Sequence, residues 1–422
     1  MSYADDFWGF TNGTGTASAI GGPWKYYDRR FLERVNKLLP LLKLGQVRPL
    51  PEGNGTTVQM HRWLNAAASV SGALLTEGQL PSAIAVKGQT LSVSIAEYGA
   101  YTQISSLLSQ THIDERVSGV VDIMAEHAAR VRDTECHQIV CSNGLYPLRA
   151  DYAVDTGATF AGVIDSSTST TFVDVALSTN TDYGDANDDL NQSIVIITSG
   201  VAYGQARVVT DFVTSGGTAT VSPAWDVNPV AGDTYVVTTA DGIVASDKLT
   251  YENIKKARTI LKKNEAKPVD GKYFVCVITP DQASGLMDDA KWIAAHTYQD
   301  TSNLYDGEIG RLGGVRFIEE TNGFAFPIAA RGTAGTSSGP GANGANYTET
   351  GAVHTAIMLG KECFGVTAFQ RKKGQAQRPT VIVKSAEQLA QPIPRFSTVG
   401  WMLEWATKGL NPMFGVGIWT GE

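Results

Sequence analysis

Few residue groupings in this chain of 422 residues have the types and spacing for chemistry, and each has a plainer reading. Cys136-His137 with Cys141 brings two thiols and an imidazole close together in sequence. Zinc takes four such ligands at characteristic spacing, but Cys276 and Cys363 lie far away and no Cys-x-x-Cys pair occurs. Buried thiols are expected instead, without disulfides in a reducing compartment. Thirteen aspartates between Tyr146 and Asp247 offer carboxylate pairs for polysaccharide hydrolysis, which needs two carboxyls at a defined separation, one with a raised pKa. They stand among Gly, Asn, Ser and Thr, however, where Asp serves as a turn former by bonding its own backbone. Asp185, Asp188 and Asp189 in "DYGDANDDLNQ" have the chemistry for calcium but not the twelve-residue EF-hand spacing, and read as a solvated loop. His61, His112, His127, His137, His296 and His354 include no His-x-x-x-His pair. No Gly-x-Ser-x-Gly elbow occurs, and the glycines of "TNGTGTASAIGGPW" are not followed by Gly-Lys-Ser/Thr. No catalytic residue, metal or cofactor is therefore assigned, and the chain is not expected to be an enzyme.

Composition sets the class. Hydrophobic residues make up 43% and charged residues 18%, as in globular proteins. The 44 glycines exceed the usual share of roughly 7% and predict many turns and much β-structure. A net charge of −8 argues against a protein that wraps nucleic acid, which carries a basic footprint. No run of about eighteen apolar residues could span a bilayer. The start, Met-Ser-Tyr-Ala-Asp-Asp, has no basic region leading into an apolar run, so folding in a cytoplasm is expected.

Several elements follow from periodicity. Residues 1–24 read as an extended arm. Phe31, Leu32, Val35, Leu38 and Leu39 share one helical face, which Pro40 kinks or ends. "TTVQMHRW" (56–63) and "QTLSVSIAEY" (89–98) alternate as strands, the second setting Leu91, Val93 and Ile95 on one side. The aperiodic excursion 64–87 between them predicts a long projecting hairpin with no core of its own. Lys87 at its return, with Leu91, Val93 and Ile95, is the candidate contact with a neighbouring subunit. Residues 111–142 give a helix some 45 Å long at about 1.5 Å per residue, stopped by Asn143-Gly144. Ile113, Val117, Val120, Val121, Met124, Ala128 and Val131 form its expected core stripe. Tyr146–Asp247 then has no Glu or Lys and only Arg149 and Arg207 as basic residues, a net −11. Its short β-branched strands ("SIVIIT", "ARVVTDFV", "TATVS", "TYVVTT") predict an inserted all-β domain. Beyond it come a helix capped by Thr250, a strand "KYFVCVIT", a short helix after Pro280, a glycine-rich loop at 331–351 and aromatic C-terminal strands. The lysines of the helix at 250–263 read as a solvated face.

The parent segments resemble the major capsid proteins of tailed phages, in particular the coliphage N-four type. The resemblance lies in "YYDRRFLERVNKLLPLLKLGQVRPLPEGNGTTVQMHRW", "LTEGQLPSAIAVKGQTLSVSIAEYGAYTQISSLL", "EAKPVDGKYFVCVITPDQ", "LYDGEIGRLGGVRFIEE" and "STVGWMLEWATKGLNP". It implies an α+β Hong Kong 97-like fold: arm and helix (1–55), extended loop (56–110), peripheral-domain spine helix (111–145), inserted acidic domain (146–247), axial domain (248–385) and returning strands (386–422). It implies a homo-oligomer of pentamers and hexamers in an icosahedral head, assembled in the host cytoplasm with scaffold, portal and possible cement proteins. Such a head encloses double-stranded DNA without specific recognition and without a membrane. The acidic segment, with Gln205, Arg207, Pro223-Ala224-Trp225 and Asp233-Thr234-Tyr235, is similar to a β-barrel-like unit of phage structural proteins. A tail or adhesin protein is the alternative that this unit raises.

Overall fold

The computed structural model describes residues 40–51, 53–63, 77, 88–105, 116–150, 159–179, 187–188, 190–191, 193–238, 243, 246–296, 308–323, 325–327, 352–372, 375–376, 380–384 and 395–421. The expected arm, the helix at 26–39, the excursion 64–87 apart from Glu77, and the loop at 331–351 lie outside them. The chain divides into two compact units. One draws on Glu97–Val131 and Arg378–Glu404, the other on Pro40–Ala96, Arg132–Gln377 and Trp405–Glu422.

The larger unit is built on a sheet of strands Glu308–Leu312, Val315–Glu319, Phe274–Ile278, Ala352–Leu359, Gly415–Gly421 and Tyr146–Arg149, in that order, with Ala325–Pro327 beside Ala352–Leu359. Phe274–Ile278 runs parallel to Val315–Glu319, and Gly415–Gly421 parallel to Tyr146–Arg149. Side chains alternate between faces along a strand, and here both faces are apolar. On one, Phe274, Cys276, Ala356, Met358, Val416 and Ile418 meet Ile254, Ala257 and Leu261 of helix α2 (Tyr251–Lys263). Those three recur at helical spacing, which is why α2 has one buried stripe. Thr250 stands at its N-cap but makes no side-chain cap bond; Asp289 Oδ2 instead accepts from the Tyr251 N–H at 2.9 Å. Helix α3 (Pro280–Met287) opens with a full capping box between Thr279 and Gln282, and Gln282 Nε2 donates to Thr420 Oγ1 at 2.8 Å.

The opposite face is covered by a second sheet. Strands Thr159–Val163, Thr234–Thr238, Ile194–Ile197, Ala206–Val213, Thr218–Ser222, Thr171–Val173 and Ser166–Ser167 follow in that order. Phe172, Phe212, Trp225 and Tyr235 fill its own core, while Ile194, Ile196 and Ala206 pack on Val353, Met413 and Trp419. The expected boundary at Tyr146 needs correction. Tyr146–Arg149 pairs with Gly415–Gly421 and belongs to the first sheet, so the separate strands begin at Thr159.

The strand Phe396–Gly409 serves both units. In the larger, Trp405–Gly409 pairs with Phe364–Ala368, itself parallel to Gln46–Val47. In the smaller, Thr398–Met402 pairs with Thr380–Lys384, and Ala96–Ser105 also pairs with the long strand. A Cβ on Gly99 would stand 2.9 Å from the Trp401 carbonyl, and one on Gly400 2.9 Å from that of Ala100. Two glycines are what let these backbones close on each other.

Helix α1 spans Arg116–Asn143 and ends where the Gly144 N–H bonds the Val140 carbonyl at 2.8 Å. Its buried line follows the expected stripe only in part, with Val121 and Ala128 covered. Val121 is buried, but Val120, Met124 and Val131 are only half-buried, and the Val117 side chain lies outside the described residues. The fully covered positions are Val121, Ala125, Ala128 and Ala129, then Cys136, Val140 and Cys141. The helix turns its small residues inward, and the bulkier Val120 and Met124 flank that line.

This placement makes a stability prediction for the isolated subunit. Val121→Asp buries an unpaired charge and should lower unfolding stability by about 3 kcal/mol or more. Ile123→Asp, at a position 63% exposed, should change it by no more than about 0.5 kcal/mol. Urea midpoints of the two variants check this.

Candidate functional site

Thr57–Trp63 and Gly88–Ser94 form the expected hairpin, with Met60 opposite Leu91. It is a two-stranded sheet by itself. Alternation sends Met60 and Leu91 inward, where they are buried with Leu410 and flanked by Val58 and Val93. Gln59, His61, Thr90 and Ser92 face outward and are exposed, with His61 Nδ1 3.1 Å from Thr90 Oγ1. The expectation that Leu91 meets a neighbouring subunit is thereby corrected, because Leu91 is covered by its own chain. Val93 flanks the same cluster and Ile95 is half-buried; Lys87 lies outside the described residues. Alternation identifies an apolar face but cannot say what covers it, and here the cover, Leu410, comes from the far end of the sequence.

A second anchor is polar. Arg62 donates to the carbonyls of Tyr203, Gly204 and Leu410 and to Asn411 Oδ1. Gln89 Nε2 donates to the carbonyls of Val201 and Tyr203. Burial lowers the Arg62 pKa to about 10, against the pull of the Tyr203 and Asp226 charges. Gly204 has φ +74, and a Cβ there would lie 2.8 Å from Arg62 Nη2; glycine meets both demands.

The residues singled out in the acidic segment prove to be fold-holding. Gln205 Oε1 accepts from the Asp226 N–H at 2.9 Å, and Gln205 Nε2 donates to the Val227 carbonyl at 2.7 Å. Arg207 Nη2 donates to Asp226 at 2.7 Å and its guanidinium lies 5.5 Å from the Trp225 ring centre. Lys408 Nζ reaches the other Asp226 oxygen at 2.8 Å, tying this sheet to the long strand. The Tyr235 hydroxyl donates to Asp174 at 2.6 Å; burial, then that hydrogen bond, pushes the phenol pKa up. Of the three calcium candidates, Asp188 accepts from Asn191 Nδ2 at 3.0 Å within a turn, while Asp185 and Asp189 lie outside the described residues.

Sequence reasoning missed one grouping. Asp133 and His137, one turn apart on α1, face Glu320 at the end of strand Val315–Glu319, and all three are buried. His137 Nε2 lies 3.2 Å from Glu320 Oε2 and 3.6 Å from Asp133 Oδ2. Asn322 Nδ2 donates to Asp133 Oδ2 at 2.8 Å. Burial raises both carboxyls to about 7 and lowers the imidazole. The Asp-x-x-x-His spacing was visible in the sequence, but Glu320 was not connected to it. The cysteines first weighed as ligands, Cys136 and Cys141, are buried free thiols, with burial raising the pKa of both.

In the smaller unit an open groove of about 520 Å³ is lined by Tyr98, Tyr101, Ile382, Lys384, Trp401 and Met402 among others. Tyr101 there is 69% exposed.

Residues 223–404 match the family model described as phage capsid protein. Over this stretch the chain is similar to phage capsid proteins. The capsid of Ralstonia phage GP4 superposes with a TM-score of 0.51 at 15% identity, covering 90% of this chain and 87% of that one. The capsid structures of cyanophages P-SCSP1u and Pam1 give TM-scores of 0.48 and 0.46 at 12% and 14% identity, covering 89% of this chain and 86% and 90% of theirs. No curated protein matches the sequence. The fold is the α+β Hong Kong 97-like fold, and the chain is a major capsid protein of a phage head, a structural component of the virion shell.

For this capsid protein, Leu91→Ala should destabilise the isolated subunit by about 2–4 kcal/mol, because it opens a cavity beside Met60 and Leu410. Arg62→Ala should cost about 1.5–3 kcal/mol through the carbonyls it leaves unpaired. Denaturant unfolding of unassembled subunits reads both.

Proposed function

We propose that the subunits associate through heterologous contacts into pentamers and hexamers, which close into an icosahedral shell around double-stranded DNA. Contacts between unlike patches close into rings when the rotation permits. The observation that carries this reading is the hairpin, whose two strands pair with no third strand among the described residues. An open strand edge is hazardous in a free protein and useful in a shell, where every edge meets another copy. Since the apolar face is covered within the subunit, the contact is made by the strand edges and by the outer residues Gln59, His61, Thr90 and Ser92. Scaffold and portal proteins, and cement proteins on the outer surface, are the further partners this reading calls for.

The double variant Gln59→Glu/His61→Glu tests it. Subunit melting should stay within about 1 °C, since changes at such exposed positions cost little, while shells seen by negative-stain microscopy should be lost or greatly reduced. Shells at normal yield would mean that this face does not touch a neighbour.

We further read Thr159–Thr238 as an inserted domain on the outer face of the shell. The argument is electrostatic. Thr159–Thr238 carries nine aspartates against Arg207, a net −8, and duplex DNA carries one negative charge per roughly 1.7 Å. Facing inward, each copy would repel the packaged genome, and screening limits that repulsion to about 8 Å without removing it at contact. Density for this sheet on the inner wall of a cryo-EM reconstruction would refute the placement. Replacing Thr159–Thr238 with a Gly-Ser linker should also destabilise the subunit, by about 1.5–3 kcal/mol for each of Val353, Met413 and Trp419 uncovered, measured by calorimetry.

A further inference from the structure

We propose that Asp133, His137 and Glu320 form a buried site for one first-row divalent cation of the zinc or manganese class. Three observations converge on it. One ligand atom from each residue lies within 4.8 Å of the others, and His137 Nε2 stands 3.2 and 3.6 Å from the two carboxylates. Donors around a shared ion about 2.0–2.2 Å away are separated by roughly 3.0–3.5 Å. The polar atoms are also left without hydrogen bonds. Asp133 Oδ1, both Glu320 oxygens and both His137 nitrogens are shut off from solvent and make no hydrogen bond of ordinary geometry, although the two carboxyls also interact with each other. The close approaches around Nε2 are therefore not hydrogen bonds, and buried polar groups are rarely left so. Finally, Asn322 Nδ2, at 2.8 Å from Asp133 Oδ2, orients the one carboxylate as outer-shell partners of metal ligands do.

The donor set selects the ion. One imidazole with two carboxylates suits zinc, manganese or ferrous iron, whereas calcium and magnesium favour oxygen alone and cuprous copper favours sulfur. A dication cancels the two buried carboxylate charges, which would otherwise be costly in so dry a place. The bound ion would staple α1 to the end of strand Val315–Glu319, two elements nearly two hundred positions apart in sequence. Because the ligands are sealed from solvent, the ion enters as the chain folds, and its binding energy becomes folding energy.

The test uses the full chain, produced with zinc or manganese in the medium and purified without a metal-affinity step. Elemental analysis should find about one ion per chain, and thermal unfolding with a chelator present should fall by several degrees. His137→Gln and the near-isosteric Glu320→Gln should each cut the metal content at least tenfold. Wild-type protein without zinc, manganese or iron, and with no chelator-dependent melting, would overturn the proposal, as would metal that stays in both variants. Should either variant fail to fold, the wild-type measurement still decides. Shell assembly bears on none of these outcomes, so the site and the assembly reading fail separately.

Discussion

The central sheet of the larger unit must be covered on both faces, and most of the architecture follows from that requirement. Every residue of Gly415–Gly421 is buried, with Val416 and Ile418 turned toward α2 and Trp419 toward the seven-stranded sheet. A strand covered on both sides reads as a continuous apolar run rather than an alternating one, which accounts for "FVCVI" and "GVGIW". Helices supply one cover. The acidic sheet supplies the other, so it is a structural layer of the subunit as well as a surface feature. Its two faces divide the work: Val195 and Ile197 fill its own core, while Ile194 and Ile196 press on the central sheet.

The polar contacts reinforce that layer. Asp226 holds Arg207 of its own sheet and Lys408 of the long strand. Arg62 and Gln89 grip the carbonyls of the 201–204 turn from the hairpin. Hairpin, acidic sheet and long strand are thus tied at one place. The motif residues conspicuous in the sequence are spent on this scaffolding, with their donors and acceptors pointed at backbone groups and at the carboxylates of Asp174 and Asp226.

Local signals made much of this legible and long-range ones did not. The hairpin strands, the end of α1 at Gly144 and the stripe Ile254, Ala257, Leu261 follow from alternation, a turn residue and helical spacing. What a face packs against depends on residues far away: Leu410 covers Leu91, and Gly415–Gly421 claims Tyr146–Arg149 from the segment it had been grouped with. The face of α1 was legible only in part: Val121 and Ala128 of the expected stripe are covered, whereas Val120 and Met124 are half-buried and Ala125 and Ala129 lie inside. Glu320 escaped notice beside Asp133 and His137 for a related reason, since a cluster drawn from a helix and a distant strand end leaves no spacing to read.

The parallel pair of Tyr146–Arg149 with Gly415–Gly421 joins Tyr146 to Val416, 270 positions apart. During synthesis the earlier strand must wait until almost three hundred further residues have been made, and meanwhile the face that Trp419 will complete stays open. Non-local pairings of this kind slow folding, and the exposed apolar surface invites aggregation as nascent chains accumulate. The translation time of the segment between these strands sets how long that face stays open in each new chain.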